Sequence, residues 1–295
     1  MSVIFFPFCM QFGYARPDSV QEACNLLDEN TTETTLLAGG QSLLPLLRDG
    51  SAAYEYVIDI NQLPDREYIR LEDGRIRIGC LTRHAQVVES EVVRENCGVL
   101  AGAVSQIGDS QVRNRGTVCG ALAHAGPSGD PPLVAVLLDA EILARDADGE
   151  TVYPARSFYH GASSTALDPN EIITEARFPV VGSNRGVSYN KWHPTEVSYA
   201  VASVGASVTL VEGQVTDASI VTGAVEPTPR RWPPLAELLV GAEPTEATIN
   251  EVATAVGEAC DPVTDFEGSP EFKREMITTL TKRSLTDAIE NAREP

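Results

Sequence analysis

Apolar and polar positions along the first sixty residues alternate between helical and strand periods. From Asp18 to Asn30, Ala23, Leu26 and Leu27 recur at helical spacing, and Ser19 followed three positions on by Glu22 forms a capping box. Thr35–Leu37 reads as a short buried strand running straight into Ala38-Gly39-Gly40. Ser42–Arg48 reads as a short helix broken by Pro45 and closed by Asp49-Gly50, and Val57–Ile60 reads as a second strand. The pattern is therefore a β–Gly-loop–α–β unit.

Further along, Arg75–Gly79 alternates as a strand, and Ala85–Ser90 and Val92–Gln106 carry helical periodicity. The polar stretch Gly108–Gly116 reads as a loop. Small residues over Gly120–Ala125 suit a helix, and Pro131–Leu138 reads as a helix with proline near its start. Glu141–Arg145 and Glu150–Tyr153 flank Asp148-Gly149 as a hairpin, and Ile172–Phe178 is the expected last strand of this region. Pro179–Gly186 reads as a linker. Beyond it, Ala206–Val211 and Gln214–Ala218 form a hairpin around Glu212-Gly213, and Ser219–Ala224 continues as strand. Helical stretches follow at Pro234–Val240, Thr245–Ala259 and Pro270–Asn291. Strands followed by helices mark a separate α+β domain.

A chain of 295 residues suits two domains, and 43% apolar residues supply their cores. The charge is lopsided: 42 Asp and Glu against 22 Lys and Arg, a formal net charge of −20. Nucleic acid is not expected as a partner, because binding a polyanion needs a basic face. A bound anion must instead rely on backbone N–H groups and a few local arginines. Lysine is confined to Lys191, Lys273 and Lys282. Such a surface fits solubility at high salt and an ordinary acidic cytoplasmic protein equally well. The six cysteines are dispersed, with no C-x-x-C, and the four histidines are scattered without H-E-x-x-H. Neither an iron–sulfur cluster nor a metal site is expected, and a reducing cytoplasm suits these thiols. Met1–Met10 is apolar but lacks a basic n-region and a small-residue cleavage site. No apolar run approaches the ~18 residues of a transmembrane helix.

Candidate chemistry gathers at two glycine loops. In Leu37-Ala38-Gly39-Gly40-Gln41-Ser42-Leu43, paired glycines between strand and helix permit positive φ and close approach to a ligand. The helix start then offers unpaired N–H groups, which is the recipe for a pyrophosphate site. A plain tight turn accounts for a lone Gly-Gly equally well. The second stretch, Ile107 to Ala125, again enters a helix through small residues at Thr117–Ala121. Arg113 and Arg115 within it read either as phosphate-neutralising or loop-orienting groups, or as partners of Asp109 or another acid. Asp130 reads as a ribose acceptor or as a helix cap. No G-x-G-x-x-G or P-loop motif is present, so the two loops must converge on one extended ligand.

The segments A-G-G-Q-S-L-L-P-L-L (38–47), I-G-D-S-Q-V-R-N-R-G-T-V-C-G-A-L-A-H-A (107–125) and Y-N-K-W (189–192) resemble the FAD-binding medium subunit of the molybdenum hydroxylases, the carbon monoxide dehydrogenase / xanthine dehydrogenase family. G-A-V-E-P-T-P-R-R (223–231) and S-P-E-F-K-R-E-M…L-T-K-R-S-L (269–285) resemble that family's C-terminal flavoprotein domain. The resemblance spans nearly the whole chain. It implies an α+β protein with a two-lobed FAD-binding domain of the vanillyl-alcohol-oxidase (PCMH) type over 1–180, with lobes of about 1–62 and 63–180. A small C-terminal α+β domain with an antiparallel sheet then covers 186–295.

FAD is the implied cofactor. Ala38, Gly39, Gly40, Gln41, Ser42 and Leu43 would line one pyrophosphate loop, and Ile107, Thr117, Val118, Cys119, Gly120 and Ala121 the other. Asp130 would meet the ribose or adenine end, Ile173 would pack near the cofactor, and Lys191 and Tyr199 would lie near the flavin ring. No catalytic side chain and no metal ligand is implied. Implied partners are a molybdopterin-binding large subunit and a [2Fe–2S] small subunit, assembled as a dimer of heterotrimers in the cytoplasm. A self-sufficient flavin oxidase on the same fold and a flavin-free scaffolding subunit are the alternatives. The sequence departs from the family pattern at Cys119, where a glycine is usual, at Gly126 and at Glu196-Val197-Ser198. Cysteine fits at position 119 if φ there is negative, whereas a positive φ would cost ~1–2 kcal/mol.

Overall fold

The computed structural model of the chain describes residues 12–29, 33–241 and 243–293. The apolar start Met1–Met10, Cys9 and the helix end expected at Asn30 lie outside these. The first sheet has three parallel strands in the order β1 (Gly13–Ala15), β3 (Tyr56–Asp59), β2 (Thr34–Leu37). Parallel neighbours need crossover connections. Here these are α1 (Val20–Glu29) and α2 (Leu43–Asp49). Ser19 caps α1 by accepting from the Glu22 amide at 3.1 Å, while Glu22 reaches back to the Asp18 amide at 2.8 Å. Pro45 does not break α2. It occupies the first turn, where an N–H has no partner inside the helix, so its missing donor costs nothing there.

The second sheet is antiparallel, in the order β4 (Ile69–Glu72), β5 (Arg75–Gly79), β10 (Ile172–Pro179), β6 (Glu141–Arg145), β7 (Glu150–Pro154). A small two-stranded sheet of β8 (Tyr159–Gly161) and β9 (Ser164–Thr165) stands beside it. Strand β4 was not expected, although its turn carries a strong signal: Asp73 and Gly74 both take positive φ, 52° and 70°. The helices α3 (His84–Glu89), α4 (Glu91–Ser105), α5 (Ser110–Arg113), α6 (Val118–His124) and α7 (Asp130–Leu137) lie between β5 and β6 in the chain. Helix α4 is kinked at Cys97, and α5 falls inside the stretch expected to be all loop.

Every residue of α7 is buried. An all-round apolar helix must be covered on all sides. On one side α7 meets α4 and α6. On the other it meets the third sheet, the antiparallel order β11 (Arg185–Trp192), β12 (Ala202–Val211), β13 (Gln214–Gly223), β14 (Arg230–Arg231). Leu133 and Leu137 seat against Gly205 of β12, where a Cβ would stand 2.8 Å from each side chain. Gly223 of β13 gives Leu133 the same space. On the far face of this sheet lie α8 (Pro233–Ala236), α9 (Glu246–Ala259) and α10 (Pro270–Arg293), with Val204, Val208, Ile220, Leu280 and Leu285 among the core residues. Gly186 lets β11 run against α10, since a Cβ there would overlap the Ala288 carbonyl oxygen.

Candidate functional site

A cleft of about 390 Å³ opens between the parallel sheet and the five-stranded sheet. Its walls include the first glycine loop in full, from Ala38 to Leu43, and Gly116, Thr117, Cys119, Gly120 and Ala121 of the second. His84, His124, Glu171, Ile172 and Ile173 also line it.

The two glycines of the first loop do different work. Gly40 turns the chain, with φ at 76°. Gly39 instead lets the loops touch: a Cβ there would overlap the Arg115 carbonyl oxygen and stand 2.8 Å from the Gly116 Cα. The same carbonyl accepts from the Arg83 guanidinium at 2.7 Å. A second Arg83 nitrogen donates to Asn61 Oδ1 at 2.7 Å, and Asn61 Nδ2 donates to the carbonyls of Ala38 at 2.7 Å and Leu37 at 3.2 Å. Asn61 and Arg83 thus clamp the first loop onto the second. Behind this clamp, the amides of Gly39, Gly40, Gln41 and Ser42 donate to no group among the described residues. Unpaired backbone donors at a helix entrance are what an anion needs.

In the second loop, Thr117 Oγ1 caps α6 by accepting from the Gly120 amide at 3.1 Å. A Cβ at Gly120 would stand 2.6 Å from that hydroxyl, so glycine keeps the cap open. Cys119 lies in the first turn of α6 and is absent from the positive-φ residues, so its Cβ brings no backbone strain. Its thiol is buried against the Ile78 carbonyl at 3.8 Å, and burial pushes its pKa well above the ordinary thiol value. It is an inert packing group. Arg113 braces the loop by donating to the carbonyls of Ile107 and Gly108, both at 3.0 Å, and not to Asp109. Asp109 caps the Val112 amide at 2.9 Å.

Five of the expected site residues lie outside this cleft. Val118 is fully buried in the core, and Ile107 is half-buried behind the loop. Tyr199 sits in the connection between β11 and β12 and is 72% exposed. Asp130 and Lys191 are bonded to each other across the junction of α7 with the third sheet. Lys191 Nζ lies 2.8 Å from Asp130 Oδ2 and 2.9 Å from the Gln106 carbonyl, and the two side chains are 2% and 5% exposed. The Tyr189 hydroxyl donates to the other Asp130 oxygen. Asp130 is the first residue of α7, not its cap, which is Gly129. Asn61, Arg83 and His84 were not anticipated. The available signal for the last two was the polar run Thr82-Arg83-His84, two residues after the strand Arg75–Gly79.

Glu171 brings a carboxylate to the cleft wall, but the Tyr153 hydroxyl at 2.6 Å and the Asp168 amide at 2.9 Å both donate to it. Burial lowers the pKa of His124, and burial with Arg113 and Arg83 pushes His84 down to about 4. The cleft accordingly offers amides and apolar walls to a dinucleotide and sets no free carboxylate against its phosphates. FAD fits this donor set. Among the described residues no group of His, Cys, Asp and Glu could hold a metal ion, and no helix is long and apolar enough to cross a membrane.

Residues 10–181 match the family described as the FAD binding domain in molybdopterin dehydrogenase, and residues 188–288 match the CO dehydrogenase flavoprotein C-terminal domain. The glyceraldehyde dehydrogenase medium chain of Sulfolobus acidocaldarius is 31% identical over 94% of this chain and 98% of its own. The 6-hydroxypseudooxynicotine dehydrogenase complex subunit alpha of Paenarthrobacter nicotinovorans is 32% identical over 96% of each. A solved structure of carbon monoxide dehydrogenase from Hydrogenophaga pseudoflava, one lacking the Mo-pyranopterin moiety, superposes with a TM-score of 0.93 at 32% identity, covering 95% of this chain and 98% of that one. With relatives this similar along almost its full length, and with two loops converging on one cleft, the chain belongs to the FAD-binding medium subunits of the molybdenum hydroxylases and is an oxidoreductase subunit.

Proposed function

We propose that this chain is the electron-transferring subunit of its complex. It takes electrons from [2Fe–2S] clusters on a small partner and passes them through FAD to an external acceptor. The substrate is oxidised at a molybdopterin centre on a large partner, and the whole is a cytoplasmic dimer of heterotrimers. The observation that carries this reading is the character of the cleft. Its one carboxylate among the described residues, Glu171, is hydrogen-bonded to Tyr153, and burial disfavours the charged form of both its histidines, which suits positioning a cofactor and not moving protons on a substrate. FAD supplies the one- and two-electron redox chemistry when bound. In this reading the two loops hold the phosphates, and Tyr199, exposed in the β11–β12 connection, would cover the flavin ring and regulate access to it, as the family resemblance implies. The chain's own substrate contribution is nil in this reading, which fits relatives of equal similarity being named for glyceraldehyde, a nicotine derivative and carbon monoxide.

The test is to purify the chain with its natural partners and measure flavin, iron and molybdenum. Substrate must bleach the flavin absorbance only when the partners are present. Bleaching by a small substrate on the isolated, FAD-loaded chain would instead establish a self-sufficient oxidase. A folded chain that takes up no FAD would establish a scaffold.

A further inference from the structure

His84 opens α3 and lies on the cleft wall, yet only 4% of it is exposed. Its amide donates to the Gly116 carbonyl at 2.9 Å, and its ring presses on Gly116 so closely that a Cβ there would stand 2.6 Å from Cδ2 and 3.0 Å from Nε2. The imidazole is therefore locked to the segment that leads into Thr117–Ala121. Its two nitrogens differ. Nδ1 is sealed from solvent and has no partner, and Nε2, beside Gly116, also makes no hydrogen bond among the described residues but is not sealed.

A neutral imidazole carries one N–H donor and one bare lone pair. A proton on Nδ1 would strand a buried donor with nothing to accept it. A proton on Nε2 puts the donor where an arriving acceptor can reach it. The doubly protonated ring is disfavoured, because it would strand a donor and bury a charge near Arg83 and Arg113. Among the described residues no Lys or Arg lines the cleft, and the nearby arginines are occupied: Arg83 with Asn61 and the Arg115 carbonyl, and Arg113 with the carbonyls of Ile107 and Gly108.

We propose that His84, as the neutral tautomer with its proton on Nε2, is a side-chain donor to a phosphate oxygen of FAD and fixes the second loop against that phosphate. This rests on the cleft being the FAD site. It makes His84 a cofactor-binding residue, one that leaves the cofactor's charge unneutralised and its affinity insensitive to pH near neutrality.

The experiment is a titration of the full-length, flavin-stripped chain with FAD, read by absorbance and fluorescence, on the wild type, His84→Gln and His84→Leu. Gln can place an amide donor near the Nε2 position, and Leu fills the volume without one. His84→Leu should weaken binding about tenfold, and His84→Gln should stay within about threefold of wild type. The phosphorus resonances of bound FAD should move in His84→Leu. Unchanged affinity in His84→Leu overturns the proposal, and so does equal weakening in both variants, which would mean packing alone. Should a variant fail to fold, the wild type decides the matter. Its affinity should be level from pH 5.5 to 8, and a decline with a midpoint near 6.5 as pH rises would assign the contact to a charged ring and overturn the neutral donor. A wild type that binds no FAD in this cleft sinks the site itself, which is a separate and earlier readout.

Discussion

Replacing Lys191 by Met tests what the Asp130–Lys191 pair is for. The pair is 2.8 Å long, with the lysine side chain 2% and the aspartate 5% exposed. Removing the cation leaves the Asp130 carboxylate buried with the Tyr189 hydroxyl, and the Gln106 carbonyl loses its donor. Breaking a buried pair from one side costs about 3–5 kcal/mol, because the remaining charge is uncompensated. At ~2–4 °C per kcal/mol for a chain of this order of size, the melting temperature should fall by roughly 6–20 °C. Thermal unfolding of the full chain followed by circular dichroism measures this. Adding Asp130→Asn to Lys191→Met should recover part of the loss, since a neutral amide no longer needs the cation. A melt within ~2 °C of wild type, or a double variant no better than the single one, would refute the reasoning. FAD affinity measured well below the melt separates two roles. A pair that only joins α7 to the third sheet leaves it within about threefold, and a larger loss assigns Lys191 to the cofactor, as the family resemblance implies.

Asn61→Ala should release the first glycine loop. It leaves the Ala38 and Leu37 carbonyls without their donor, costs on the order of 1–3 kcal/mol in stability, and weakens FAD binding about tenfold or more in a fluorescence titration. His84 makes stability depend on pH in a defined direction. Its folded pKa of about 4 lies below the unfolded value of 6.5, so the unfolded chain takes up the proton first as pH falls. The contribution is full above pH ~6.5 and lost progressively towards pH 4, amounting to ~3 kcal/mol, and His84→Gln should flatten that part of the curve in urea titrations. Cys119 should resist iodoacetamide in the native chain and react only on unfolding, because its thiol is buried and held protonated.

Local signals in the sequence were read where they were both strong and local. The capping box at Ser19, the strand Arg75–Gly79 and the hairpin around Asp148-Gly149 appear where the pattern put them. Pro45 misled because its cost depends on which turn it occupies, and a sequence does not mark the first turn. Strand β4 was missed although Asp73-Gly74 is as good a hairpin signal as Asp148-Gly149, because Ile69–Glu72 is short and half-exposed at the sheet edge. At the site, the loops were legible and their coupling was not. The Gly39 contact with Arg115 and the Asn61–Arg83 clamp join segments twenty to eighty residues apart, which no local pattern records. Asp130 and Lys191 were singled out separately, one for the ribose or adenine end and one for the flavin ring, and only the fold reveals that they face each other.

The whereabouts of the lysines have a practical side. The chain's lysines are Lys191, Lys273 and Lys282. The first two are buried against carboxylates, at 2% and 1% exposure, and only Lys282 on α10, opposite Glu246 of α9, is open at 45%. Aside from the α-amino group, an amine-reactive dye or affinity tag therefore has one address on the folded molecule, and will report from the C-terminal helix whatever the reagent. For the same reason amine-directed cross-linkers will leave most of the surface silent in any map of subunit contacts. Carboxyl-directed reagents, with 42 acidic residues to choose from, are the chemistry that can chart it.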